Sequence, residues 1–152
     1  MKTNVINKLM WLALLCAGAV LGTGSAAART FQTHVYVVHF PAWAIPGSTV
    51  VFPVWLAYQD PGQGGRMVFL PGRKLSVNGY LHGGTMSAPF AIQDVTTDIN
   101  GQATISFRMP HKLRNRGGYE VGTFLQVTAK FAGEAPSLLP GGENMFIDIT
   151  VR

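Results

Sequence analysis

An all-β sandwich is the fold this sequence predicts, and three observations carry that expectation. Gly and Pro are frequent, 18 and 9 of 152 residues, and they separate short runs rich in Val, Phe and Thr. Several of those runs alternate apolar and polar residues with a period of two. Beyond the N-terminal leader, no stretch of helical length carries apolar residues at helical spacing. Hydrophobic residues make up 47% of the chain and charged residues only 12%, roughly half the usual charged share. Disorder is excluded, because ample apolar surface is available to bury. A coiled coil or helical bundle is excluded by the absence of Ala/Glu/Lys/Leu/Arg-rich blocks.

The N-terminus has the layout of a secretory signal peptide. Lys2 and Lys8 form a positive start, Leu9 to Leu21 is an apolar run of 13 residues, and Gly22 to Ala28 is small and flexible. The apolar run falls short of the roughly 20 residues of a membrane span. Cleavage is expected after Ala27 or Ala28. Cys16 follows Leu15, where a lipidated leader needs a small residue. The expected division is a signal peptide over 1–27 and one domain over 28–152, with no transmembrane span after cleavage. Loss of Lys2 and Lys8 takes the net charge from +5 to +3 and leaves 125 residues without cysteine. Such a domain is held by its core alone, which is feasible at this length. Disulfide-stapled folds, thiolate metal sites and Cys nucleophiles are excluded.

The mature chain then reads as strands in order. Phe31 to Phe40 opens, and Pro41 to Gly47 breaks it. Ser48 to Tyr58 is apolar on both faces and reads as a strand covered on both sides, with Trp55 in the core. Pro53 implies a bulge or an edge within it. Asp60 to Gly65 is a loop, Arg66 to Leu70 a short strand, and Pro71-Gly72 a turn. Lys74 to Val77 alternates with Leu75 and Val77 inward, and Asn78-Gly79 reads as a hairpin turn. Met86 to Thr97 holds a strand around Phe90, Ile92 and Val95. After the turn Asp98 to Gly101, Ala103, Ile105, Phe107 and Met109 point inward. Pro110 to Tyr119 is a basic loop. Leu125, Val127 and Ala129 then point inward, with Gln126, Thr128 and Lys130 outward. Ala132 to Glu143 is a Gly/Pro-rich connection, and Met145, Ile147, Ile149 and Val151 face inward in a final strand. Seven or eight strands at even spacing favour an antiparallel β-sandwich.

Residues 97–109 and 122–151 also carry a recognisable pattern. Thr97, Asp98, Gly101 and Ala103 form a "TD-x-x-G-x-A" element. Gly122, Val127, Ala129, Phe131, Gly133 and Glu134 form a second element. Pro136-Ser137 and Ile149-Thr150-Val151 form a third, and Gly47 to Val50 match a "G-x-x-V" opening. In these positions the chain resembles the bacterial immunoglobulin-like (Big-type) domains. The resemblance covers about two thirds of the mature chain. It implies an immunoglobulin-like fold and a role as a spacer, adhesin segment or binding module. Two departures from that pattern are expected: one domain rather than a tandem array, and a loop from Pro110 to Tyr119 that is longer and more basic.

Catalytic signals are weak. Ser48, Ser76, Ser87, Ser106 and Ser137 lie outside any Gly-x-Ser-x-Gly elbow. Asp94 and Asp98 flank a turn and read as solvated turn residues. His34, His39, His82 and His111, with the methionines, raise copper as an alternative. No His-x-His pair supports it, and no cofactor or metal is expected. Asp98 to Gly101 lacks the closing Glu of a calcium loop. The most unusual polar feature is the loop with His111, Lys112, Arg114 and Arg116 within six residues, a patch suited to an anionic surface. Trp43 sits in the Pro-bounded loop Pro41 to Pro46 and is placed to pack or to seat a partner. The expected partner-binding residues are therefore Lys112, Arg114, Arg116 and Trp43. The expected function is a non-enzymatic exported binding or structural module, a subunit or accessory of an envelope or extracellular assembly. Its partner is expected to be a protein or an anionic envelope polymer, not nucleic acid. A carbohydrate-binding module and a periplasmic copper carrier are the alternatives.

Overall fold

The computed structural model describes residues 29–83, 86–111 and 123–149. The leader over 1–27 and the basic residues Lys112, Arg114 and Arg116 lie outside the described residues. Eleven strands follow in order: β1 (Phe31–Val37), β2 (Trp43–Ala44), β3 (Thr49–Asp60), β4 (Arg66–Phe69), β5 (Lys74–Gly83), β6 (Met86–Ala91), β7 (Val95–Thr96), β8 (Gln102–Arg108), β9 (Thr123–Phe131), β10 (Leu138–Leu139) and β11 (Gly141–Ile149). Eight of these have four residues or more, and the other three are two-residue pairings.

Two sheets pack face to face. In the first, β10 joins β1, and β1 joins β3. Along the far edge of β3, β8 pairs Thr49–Trp55 and β4 pairs Ala57–Asp60. Leu56 bridges the gap between them. Its N–H donates to the Gly101 carbonyl at 3.0 Å, and its carbonyl accepts from the Leu70 N–H at 2.9 Å. In the second sheet β2, β11, β9 and β5 lie side by side, with β6 and then β7 along the far edge of β5. With β1, β3 and β8 in one sheet and β5, β9 and β11 in the other, the strands are divided as in an immunoglobulin-type sandwich.

The sheets are mixed rather than purely antiparallel. β1 runs parallel to β10, and β2 runs parallel to β11. Both exceptions are short strands within connecting segments, where local chain direction is free of the hairpin constraint.

The core lies between the inner faces. Val50, Phe52, Val54 and Leu56 of β3 meet Leu75, Val77, Leu125, Val127, Ile105, Met145 and Ile147, all essentially inaccessible to solvent. The alternation read from β8, β9 and β11 is therefore the alternation of this core. Thr128 departs from it: it points away from the core yet is buried, and its Oγ1 donates to Asn144 Oδ1 at 2.7 Å.

Three other readings need correction. β3 is not covered on both sides. Its second face carries Val51, Pro53 and Trp55 outward, so Trp55 is half-buried rather than core. Tyr36 is the register partner of Trp55 on the neighbouring strand. Pro53 sits one residue outside the span that β1 covers, so the missing N–H falls where β3 has a free edge. Asn78-Gly79 is not a turn but the middle of β5, and Gly79 pairs with both Phe90 and Val127. The lack of a side chain has a different use there. A Cβ on Gly79 would lie 2.9 Å from the Phe90 carbonyl oxygen and 3.0 Å from the Phe90 ring. The segment Met86 to Thr97 is two strands, β6 and β7, split at Ile92 to Asp94.

One end of the sandwich gathers the β1–β3 connection, the close of β5, the exit of β8, the start of β9 and the end of β11. That end carries the candidate site.

Candidate binding face

The β1–β3 connection is shaped by its own sequence. Pro41 and Pro46 bracket it, and Gly47 takes a left-handed φ of +79°. The Ser48 N–H and hydroxyl both donate to the Ile45 carbonyl, at 3.0 and 2.7 Å, closing the turn. Arg108 Nε donates to the Gly47 carbonyl at 2.9 Å and ties the turn to the end of β8. Between the prolines, Trp43–Ala44 has just enough extended chain to lie against β11. Asp148 donates its N–H to the Ala42 carbonyl at 2.8 Å, and Asp148 faces Trp43 in register. Ala44 points into the core and Trp43 points out.

This register places Trp43 at the head of an aromatic face on the second sheet. Across the strands, Trp43, Asp148, Phe124 and His82 form one row. Phe146, Gln126 and Tyr80 form the next. Asn144, Thr128 and Asn78 form a third. All of these residues alternate with buried core residues on their own strands, which turns their side chains outward. Trp43 and Phe146 are each 52% exposed, Tyr80 47% and Phe124 37%.

The rings are ordered by one another. His82 stacks on Phe124 with centroids 4.8 Å apart and planes at 23°. Phe124 meets Phe146 edge to face at 5.8 Å. His82 Nε2 lies 3.3 Å from Gln126 Oε1, and Gln126 Nε2 donates to Asn144 Oδ1 at 3.4 Å. The side chains therefore stand in fixed relation before any partner arrives, which lowers the entropy lost on binding. Asp148 is the one carboxylate or ammonium group of these rows, and Lys130 lies one row beyond them, opposite Gly142 and Ser76.

Beside Trp43, at the end of the sandwich, an open groove of about 580 Å³ is lined by His39, Phe40, Trp43, Ile45 and Val51 among others. Phe40, Ile45 and Val51 are exposed there. Trp43 thus stands between two sets of exposed apolar residues, those of the groove on one side and, across Asp148, the rings of the sheet face on the other. Singly exposed apolar residues are ordinary, but this many large ones gathered at one end of the sandwich mark a candidate interaction surface.

Of the four sequence-predicted site residues, Trp43 is the one within the described residues. Their connection is nonetheless informative. The segment that carries Lys112, Arg114 and Arg116 leaves from His111, which follows the Arg108–Gly47 tie, and returns at Thr123, next to Phe124. Its two roots therefore flank the Trp43 end. Phe124, Phe146 and Tyr80 were not singled out from sequence, and His82 was weighed there only as a copper ligand. Their signal was present as apolar residues at the outward positions of alternating strands.

The histidines do not converge. His34 lies on the first sheet, His82 on the second, and His39 in the β1–β3 connection. Among the described residues, no group of three or more His, Cys, Asp or Glu side chains is placed to hold a metal ion. Among the described residues, no helix is long and apolar enough to cross a membrane.

No protein-family model matches the chain, and no curated protein sequence matches it. Among solved structures, the chain is similar to part of a β-glucosidase from Listeria innocua. The identity is 11% and the TM-score 0.41, over 78% of this chain and 16% of that one. The same enzyme in complex with glucose gives 11% identity and a TM-score of 0.43, over 80% and 16%. The chain thus spans about 16% of the length of those enzymes.

Proposed function

We propose that this protein is an exported, non-enzymatic binding module that seats a protein partner on the Trp43 face, as a subunit or accessory of an envelope or extracellular assembly. The observation that carries the reading is that Trp43, Phe124, Phe146 and Tyr80 stand exposed on one sheet face, in adjacent rows, with Phe124 held between His82 and Phe146. Trp, Tyr and Phe are the residues that interfaces concentrate at their centres. The Pro110–Tyr119 segment, rooted beside this face, adds positive charge that steers an acidic partner.

The ring geometry favours a protein over a glycan. Stacked at 4.8 Å, His82 and Phe124 each cover one face of the other. A sugar ring stacks on an open aromatic face. A protein side chain packs equally well against ring edges.

The test is a variant carrying Trp43→Ala, Phe124→Ala and Phe146→Ala, compared with the parent for co-isolation of partners from the exported fraction. The expected result is an intact fold and loss of a discrete partner. Retention of that partner by the folded variant contradicts the reading. Binding of the parent to neutral polysaccharide, abolished in the variant, would transfer the face to a carbohydrate-binding function.

A further inference from the structure

We propose that the free edge of β8 accepts an extended strand from another polypeptide, one that carries a carboxylate opposite Arg108. This surface is separate from the Trp43 face and does not depend on it.

The backbone geometry of β8 is unequal on its two sides. Gly101 and Met109, which flank the strand, bond toward β3 through the Leu56 N–H and the Ser48 carbonyl. Residues of that parity therefore turn their backbone groups to β3, and Gln102, Thr104, Ser106 and Arg108 turn theirs away. Gln102 is served by the preceding turn. Its N–H donates to Asp98 Oδ1 at 2.9 Å, and its carbonyl accepts the Asp98 N–H at 2.7 Å. Thr104, Ser106 and Arg108 have no backbone partner on that side among the described residues. They present three N–H and three carbonyl groups over about 14 Å.

Folded proteins blunt such edges with proline, lysine, short length or a covering element. The other edges here follow that rule: β6 carries Pro89, and β4 has four residues. β8 has seven residues, no proline and no lysine. Along it runs a groove of about 600 Å³, lined by Phe90, Ile92, Ser106, Phe107, Arg108 and His111 among others. Phe90 and Phe107 meet edge to face there at 5.9 Å.

These features define the occupant. A strand added to β8 directs alternate side chains toward Phe90 and Phe107, where apolar residues fit, and the others beside Thr104 and Ser106. No carboxylate lines the groove, whereas Arg108 and His111 do. Arg108 spends Nε on Gly47, and its terminal N–H groups face no carboxylate among the described residues. An acidic residue opposite Arg108 gains a charge-assisted bond. A second β8 brings another Arg108 and no carboxylate, so the edge suits a foreign strand better than its own copy.

The probe is an end-capped peptide, Glu-Val-Thr-Val-Thr-Val, titrated into the ¹⁵N-labelled domain up to the peptide's solubility limit. We expect saturable shifts, confined first to the Thr104, Ser106 and Arg108 amides, and slower exchange of those three with solvent. Ser106→Pro removes a donor that points off the sheet and is tolerated at an edge. That variant is expected to keep its dispersed spectrum and lose the response. A peptide with Lys in place of Glu is expected to bind at least about tenfold more weakly, since a favourable pair becomes a repulsive one. The proposal is overturned if those amides do not respond, if Ser106→Pro responds like the parent, or if the Lys peptide binds equally well. It is also overturned if the three amides are already protected without peptide in a concentration-dependent way, because a second copy then holds the edge.

Discussion

Trp43 and Asp148 face each other across a two-residue parallel pairing that fixes the β1–β3 connection to the last strand. The Asp148 N–H donates to the Ala42 carbonyl on one side of Trp43, and Ala44 is buried on the other. The indole is therefore held outward by backbone on both flanks. A tryptophan displayed by such a device, at the head of a row of exposed rings, is positioned rather than left over.

The core and the outer face should respond differently to truncation. Leu125→Ala removes a side chain with no solvent exposure and is expected to cost about 2–5 kcal/mol. Phe146→Ala, on the adjacent strand but the opposite face, is expected to cost less than half as much. Denaturation midpoints of the two variants check this. Equal losses would mean that the outward register of β11 is wrong.

Thr97 is a buried clamp between two turns. Its Oγ1 donates to the Leu70 carbonyl at 2.7 Å and accepts from the Arg73 N–H at 2.8 Å. Thr97→Val keeps the shape and strands both backbone groups. The expected loss is about 1–3 kcal/mol for groups left unsatisfied. Thr97→Ser, which retains the hydroxyl, is expected to recover most of it in the same unfolding experiment.

Gly101 is required by conformation and by space. Its φ is +72°, and a Cβ would lie 2.8 Å from the Leu70 N and from the Phe69 Cβ. Gly101→Ala is expected to destabilise by at least about 1–3 kcal/mol, the usual cost of a strained backbone position. A thermal melt unchanged from the parent would contradict this.

Much of this architecture is legible in sequence, and the limits have physical causes. Ile105, Phe107, Leu125, Val127, Met145 and Ile147 alternate strictly with polar neighbours, because one face of each strand meets the core and the other meets water. Asn78-Gly79 misleads because its turn propensity is local, whereas Gly79 is set by the approach of Phe90 across the strand. Trp55 misleads because an apolar outward residue has the same composition as a buried one. The same ambiguity concealed Phe124, Phe146 and Tyr80. Exposure of an apolar side chain is a property of the assembled sheet, not of the residue. The bracketing prolines mark out Trp43 but leave open whether it packs or is displayed; the register with Asp148 and the burial of Ala44 turn it outward.

Acid should weaken one surface tie. Asp94 Oδ2 lies 2.9 Å from Lys74 Nζ, and Oδ1 accepts the Val77 N–H at 3.0 Å. The bond to Lys74 and then that to Val77 hold the carboxyl below its ordinary value of 3.8. A carboxylate with a depressed folded pKa contributes stability above the unfolded value, and loses it as pH falls through the folded one. The parent is therefore expected to exceed Asp94→Ala in stability at neutral pH, with the gap closing below about pH 4. Urea midpoints of the two proteins across pH 2–7 read this directly, on the scale of normal carboxylate titration. A gap that stays constant or widens in acid would reverse the assignment.

The most direct measurement of the central claim is site-specific photo-crosslinking in the cells that export the protein. A photoreactive phenylalanine analogue replaces Phe146 in one variant, Trp43 in a second, and the exposed Ile99 at the opposite end of the sandwich in a third. The account predicts one discrete crosslinked protein from the first two positions and none from the third. Absence of a discrete product at Phe146 and Trp43, or the same product at Ile99, would contradict it.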